Sequence, residues 1–183
     1  MVTECLAGTP EFGVVLIERG NEVGGGDVRT DVGTVARIAE AGRFDDGRWA
    51  LATVGVRRVR VRHWLADQPY PRAALEDWPQ EGEAPPDRSC RAVVAVWRRL
   101  LAVAAELGAP APPATAELSE DPAVAVYQMA AAAPLGPADA QVVLATADLA
   151  GQWERLGELL ADQSELLEAR VAMADGDDGF EAP

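Results

Sequence analysis

The rhythm of hydrophobic positions changes near residue 80. Phe12 to Glu18 (FGVVLIE) is a continuous apolar run of strand length. Val32 to Ala41 (VGTVARIAEA) and Arg48 to Val54 (RWALATV) are strand candidates, with Asp46-Gly47 as a tight-turn signal between them. Gly55 follows, and then Val56 to Leu65 (VRRVRVRHWL) is the most patterned segment, read with a period of two. Tyr70 to Trp78 (YPRAALEDW) ends this part as an edge strand or strand start, because of its proline.

Beyond Pro79-Gln80-Glu81-Gly82-Glu83-Ala84-Pro85-Pro86, which reads as a linker, the spacing turns helical. Asp87 or Ser89 can cap a helix to about Leu107, with Val93, Val96, Trp97, Leu100, Val103, Ala104 and Leu107 on its apolar face. Ser119 is placed to cap the next helix, which carries Val124, Val126, Tyr127 and Met129 and stops at Pro134. Gly136-Pro137 opens a short helix, and a long one runs from near Asp148 to about Met173. In the long helix Leu149, Trp153, Leu156, Leu160 and Leu167 form a stripe that suits the core of a helical subdomain or a coiled-coil homodimer seam.

Residue usage supports the same division. Nine alanines precede residue 81 and 26 follow it, and alanine favours helix where β-branched residues favour strand. The expected fold class is α+β: a β-rich subdomain at 1–80, a helical subdomain at 87–173 and a disordered acidic tail at 174–183.

Within Val56–Leu65 a period of two puts Arg58, Arg60, Arg62 and Trp64 on one face and Arg57, Val59, Val61, His63 and Leu65 on the other. The arginine face can bind an acidic or extended polypeptide, or RNA. It also suits a solvated row paired to acids on a neighbouring strand. His63, among valines, reads as a structural, hydrogen-bonded histidine rather than a catalytic one.

The counts exclude much chemistry. All 16 basic residues are arginine, so phosphate-loop lysines, Schiff bases and Ser–Lys dyads are out of reach. One histidine cannot make a two-histidine zinc site, and Cys5 and Cys90 form no C-x-x-C pair. Asp45-Asp46 and Asp177-Asp178 fit a turn and a tail better than a metal site. Gly24-Gly25-Gly26 fits a strand connection better than a phosphate nest. No catalytic, cofactor-binding or metal-binding set emerges. The net charge of -14 opposes nucleic acid as a main partner, although residues 1–80 are nearly balanced, with 10 arginines against 12 acids. With no stretch of 18 apolar residues and no signal-peptide pattern, a soluble cytoplasmic protein is expected, without a membrane partner.

The order of segments resembles the Lon substrate-binding domain, the amino-terminal domain of ATP-dependent Lon proteases, which also occurs as a standalone bacterial protein. The resemblance is carried by FGVVLIERG (Phe12–Gly20), VGTVARI (Val32–Ile38), DGRWAL (Asp46–Leu51), VGVRRVRV (Val54–Val61) and YPRAALED (Tyr70–Asp77). It continues through PLGPADAQVVLATADLAGQWERL (Pro134–Leu156) and covers roughly Met1 to Val171. It implies a curved β half of the PUA-like kind followed by a helical half. It also implies binding of unfolded or tagged polypeptides, as an adaptor or holdase, without catalysis. Arg58, Arg60, Arg62 and Trp64 are the candidate polypeptide-binding face, and RNA binding is the alternative, since PUA-like sheets can bind RNA. Family members usually open with a proline-containing strand and the first part of a helix ahead of the segment matching Val2–Gly8. The chain starts inside that helix, so an upstream-extended form is expected to melt at a higher temperature.

Overall fold

The computed structural model describes residues 1–20, 26–66 and 68–177, with side chains as far as Met173. The chain divides into two compact units, Met1–Pro79 and Gln80–Pro183. The first holds α1 (Val2–Ala7), β1 (Glu11–Arg19), β2 (Val28–Arg43), β3 (Trp49–Leu65) and β4 (Arg72–Asp77). The second holds α2 (Asp87–Glu106), α3 (Pro122–Ala132), α4 (Pro137–Ala145) and α5 (Leu149–Asp177). This is the expected α+β order.

The four strands form one antiparallel sheet in the order β1-β2-β3-β4. Where the sequence suggests two strands separated by Gly55, β3 is continuous. Gly55 pairs with Ala36, and a register shift between Val35 and Ala36 absorbs the extra residue. The β2–β3 turn closes with Phe44 N–H donating to Arg48 C=O at 2.9 Å, and Gly47 supplies the left-handed residue at φ +86°. Neighbouring residues Val32 and Gly33, and again Val35 and Ala36, are buried, so β2 is shielded on both of its faces. Gly33 is required there. A Cβ at this position would collide with the Val14 carbonyl oxygen and come within 2.7 Å of a Val15 methyl. The sheet curls enough that a Cβ on Gly13 of β1 would lie 3.3 Å from the Leu75 side chain of β4.

In the second unit Trp97, Leu100, Leu101 and Ala104 of α2 pack with Val126 and Met129 of α3 and Val143 of α4. The α5 stripe of Leu149, Trp153, Leu156, Leu160 and Leu167 closes this core, so it serves the unit's own interior and offers no dimer seam. Two positions given to apolar faces lie outside instead: Leu107 is 40% and Val124 44% exposed, while the unassigned Leu101 is fully buried. The caps also differ from expectation. The α2 N-cap is Pro86 with no side-chain bond, and Asp87 sits in the first turn, where it suits the helix dipole. Asp121, not Ser119, caps α3 by accepting from Ala123 N–H at 2.8 Å, and Ser119 Oγ accepts from Asp121 N–H. The α5 helix continues to Asp177, past Met173. Asp178 and Gly179 of the acidic tail lie outside the described residues, as do Gly24 and Gly25.

A buried polar knot holds the start of the second unit. Gln152 is fully buried, and its amide donates to Tyr127 Oη at 2.9 Å and to Val143 C=O at 3.1 Å. Its carbonyl accepts from Gln80 Nε2 at 3.2 Å. Glu81 and Leu149 complete the attachment, with Leu149 N–H donating to Glu81 C=O at 2.9 Å. Part of the segment that reads as a linker is therefore pinned to the helical unit.

Candidate functional site

The candidate face is built on β3. Arg58 and Arg60 stand opposite Thr34 and Val32 of β2, and Arg60 also opposite Glu76 of β4. Strict alternation would carry this face on to Arg62 and Trp64, but the register shifts between Val61 and His63. Val61 pairs with Leu75, His63 with Ala74 and Trp64 with Ala73. Ala73 and Leu75 are two residues apart on β4, so Trp64 joins the side of Val61. His63 joins the side of Arg60. Period two thus holds for Arg58 and Arg60 and fails for Trp64.

The four residues have different surroundings. Arg58 is buried. Its Nε donates to Trp78 C=O at 2.8 Å, its Nη2 donates to Pro79 C=O at 3.1 Å, and its guanidinium lies 4.1 Å from the Trp78 ring centre. This is a structural arginine that fastens the chain leaving β4. Arg60 lies over the same indole at 3.9 Å and is half-buried. Arg62 is exposed and pairs with Glu76. Trp64 is 41% exposed, with the Arg29 guanidinium 4.6 Å from its ring centre. Arg29 is held in turn by Asp27 at 3.2 Å.

Sequence reasoning missed both aromatic platforms. Trp78 had the signal of a tryptophan closing a strand, but nothing local shows that it faces Arg58 and Arg60 from 20 residues away. The pairing of Arg29 with Trp64 depends on the register break, which alternation alone cannot show.

Across all four strands a second charged group gathers. Arg57 donates to Glu11 at 3.0 Å and to Asp77 at 2.9 Å, and Arg37 donates to Glu11 at 2.9 Å. Hydrogen bonds from Arg37 and Arg57 hold the Glu11 carboxyl below the usual carboxylate range, and those to Glu11 and Asp77 raise Arg57. The Tyr70 hydroxyl donates to Glu4, which raises its pKa.

Catalytic sets do not assemble around these groups. His63 is exposed, and the expected structural hydrogen bond is absent among the described residues; the same bulge places it on the side of Arg60, away from Val61. All three serines lie in the other unit. Among the described residues no cluster of His, Cys, Asp and Glu can hold a metal ion. Cys5 and Cys90 are free, and burial raises the Cys90 thiol. No described helix is long and apolar enough to cross a membrane.

The sheet unit does expose apolar surface. Ile17 is 51%, Trp64 41% and Leu75 41% exposed, on the side shared by Val61 and Gly33. Val54 and Phe44 stand out toward the hairpin end at 58% and 54%, beside an open depression lined by Glu40, Ala41, Ala50 and Leu51.

Comparison with known proteins adds a family. The sequence matches the family described as the ATP-dependent protease La (LON) substrate-binding domain over residues 1–162. Among curated proteins no sequence matches. Two solved structures share the fold. One is a Lon N-terminal domain protein from Xanthomonas campestris, at 21% identity and a TM-score of 0.53, covering 85% of this chain and 79% of that one. The other is the N-terminal domain of a Mycobacterium avium complex Lon protease, at 22% identity and a TM-score of 0.52, covering 84% and 77%.

Proposed function

From the premise that the chain belongs to the Lon substrate-binding domain family, we propose that it binds unfolded or tagged polypeptide segments through its sheet unit, as an adaptor or holdase. It performs no bond-breaking itself. The observation that carries this reading is the exposed Ile17, Trp64 and Leu75 on one side of a sheet whose remaining charges are mostly paired. Apolar side chains rimmed by ion pairs suit an extended chain. The apolar groups supply burial and the rim supplies selectivity.

Of the candidate residues Arg58, Arg60, Arg62 and Trp64, Arg62 and Trp64 are exposed, Arg60 is half-buried and Arg58 is buried, and Trp64 lies on the side of the sheet opposite Arg58 and Arg60. A chemically unfolded model protein, immobilised and offered the full chain, tests the reading. Retention is expected, and it falls at least several-fold when Trp64 and Leu75 are both changed to serine. Unchanged retention by that variant removes this surface from the proposal, and no retention of the native chain removes the function. RNA is the competing occupant of the arginines. Its binding would fall steeply with salt, whereas binding dominated by apolar contacts changes little.

A further inference from the structure

We propose that the Arg60 guanidinium, set over the Trp78 indole, is a carboxylate-binding subsite. It takes one aspartate or glutamate side chain of a polypeptide passing along β3 on the side opposite Trp64 and Leu75. The inference rests on the polypeptide-binding reading above and adds the chemistry that the bound segment must carry.

The argument starts from a contrast between two arginines on one indole. Arg58 and Arg60 lie 4.1 and 3.9 Å from the Trp78 ring centre. Arg58 spends its in-plane donors on the Trp78 and Pro79 carbonyls. Arg60 has the stack and no hydrogen bond or ion pair among the described residues. Its Nε is fully buried without an acceptor. A buried donor with no partner is costly, and few native side chains carry one.

The ladder makes the vacancy specific. Glu76 stands directly opposite Arg60, where a cross-strand ion pair would normally form. Its carboxylate goes to Arg62 instead, and the next acid of β4, Asp77, goes to Arg57. On the β2 side the residue opposite Arg60 is Val32, which offers no charge. The sheet thus supplies Arg60 with an aromatic face and withholds the anion. A guanidinium stacked this way is held in one orientation, and its remaining edge fits a carboxylate through two parallel N–H bonds.

A single carboxylate suits the surroundings better than a phosphodiester chain. Glu76 stands beside the subsite, and the protein carries a net charge of -14, so repeated phosphates would meet repulsion on both scales. An isolated acid within an apolar segment would meet one unpaired cation.

The test uses the full chain and two fluorescein-labelled 12-residue peptides of apolar sequence. They are identical except for one central glutamate or glutamine. Anisotropy titrations should show the glutamate peptide binding about 10-fold more tightly, as expected for one charge-assisted bidentate contact. The variant R60Q should equalise the two peptides while still binding both. R60K keeps the charge and the aliphatic stem but lacks the fork, so it should lose most of the preference. It decides the matter if circular dichroism shows R60Q to be unfolded. Equal affinities for the native chain would overturn the subsite and leave polypeptide binding standing. Absence of binding by either peptide would overturn both. A preference that survives in a folded Arg60 variant places the cation elsewhere and overturns the assignment. So does a single-stranded RNA oligonucleotide that displaces the glutamate peptide from the native chain but not from R60K.

Discussion

The helical unit gathers most of its large side chains into one core, with Leu100, Leu101, Met129, Leu156 and Leu160 all at 0% exposure, and leaves only scattered ones such as Leu107 and Leu166 outside. The sheet unit leaves Ile17, Trp64 and Leu75 open by two-fifths or more and holds itself with guanidinium contacts to rings, carboxylates and carbonyls. The difference shows where each unit's stability comes from. Burial is non-directional and tolerates no partner on the same surface, whereas charge-assisted contacts fix a backbone while leaving apolar groups free to meet another chain.

The contrast can be broken most strongly in the helical core. Leu156→Ala removes a fully buried side chain between α5 and its neighbours and should cost about 2–5 kcal/mol in urea denaturation followed by helical circular dichroism. The sheet has its own rigid point at Gly33. Gly33→Ala sets a methyl against the Val14 carbonyl and should cost about 3 kcal/mol; a change below about 1 kcal/mol would mean the β1–β2 approach is looser than described. The buried amide of Gln152 is the exception within the apolar unit. Gln152→Met keeps the volume but strands Gln80 and Tyr127, with an expected loss of about 1–3 kcal/mol.

The smallest effect lies on the sheet and depends on pH. The folded Glu11 carboxyl sits below its ordinary value of 4.5, so its contribution is present above that pH and is lost as pH falls through the lowered value. Glu11→Gln should therefore lower the thermal midpoint near neutrality, and the gap from the native chain should close in acid. A gap that stays constant with pH would show that the Arg37 and Arg57 contacts contribute nothing through charge.

Much of this was legible in the sequence because it depends on local rules. The change in hydrophobic spacing gave strands followed by helices, Asp46-Gly47 located the hairpin, and the ordered segments carried the family. Pro137 and Asp148 marked the starts of α4 and α5. What escaped is non-local. Whether Arg58 is buried depends on Trp78 returning to it, and whether His63 faces valines depends on the pairing of β3 with β4. Capping at Asp121 in place of Ser119 was open to either residue by composition, and Pro122 at the first helical position favours the residue just before it. The candidate face was half legible, since alternation gave Arg58 and Arg60 correctly and stopped holding at the residue where the ladder slips.

That slip has a consequence for how the surface can vary. Excising Arg62 would close the bulge yet leave His63 opposite Ala74 and Trp64 opposite Ala73, so the tryptophan would keep its side, beside Arg29. The sheet thus reads the even spacing from Arg60 to Trp64 as an odd one, and a change that flattened the bulge without removing a residue would carry the tryptophan across to the arginine side.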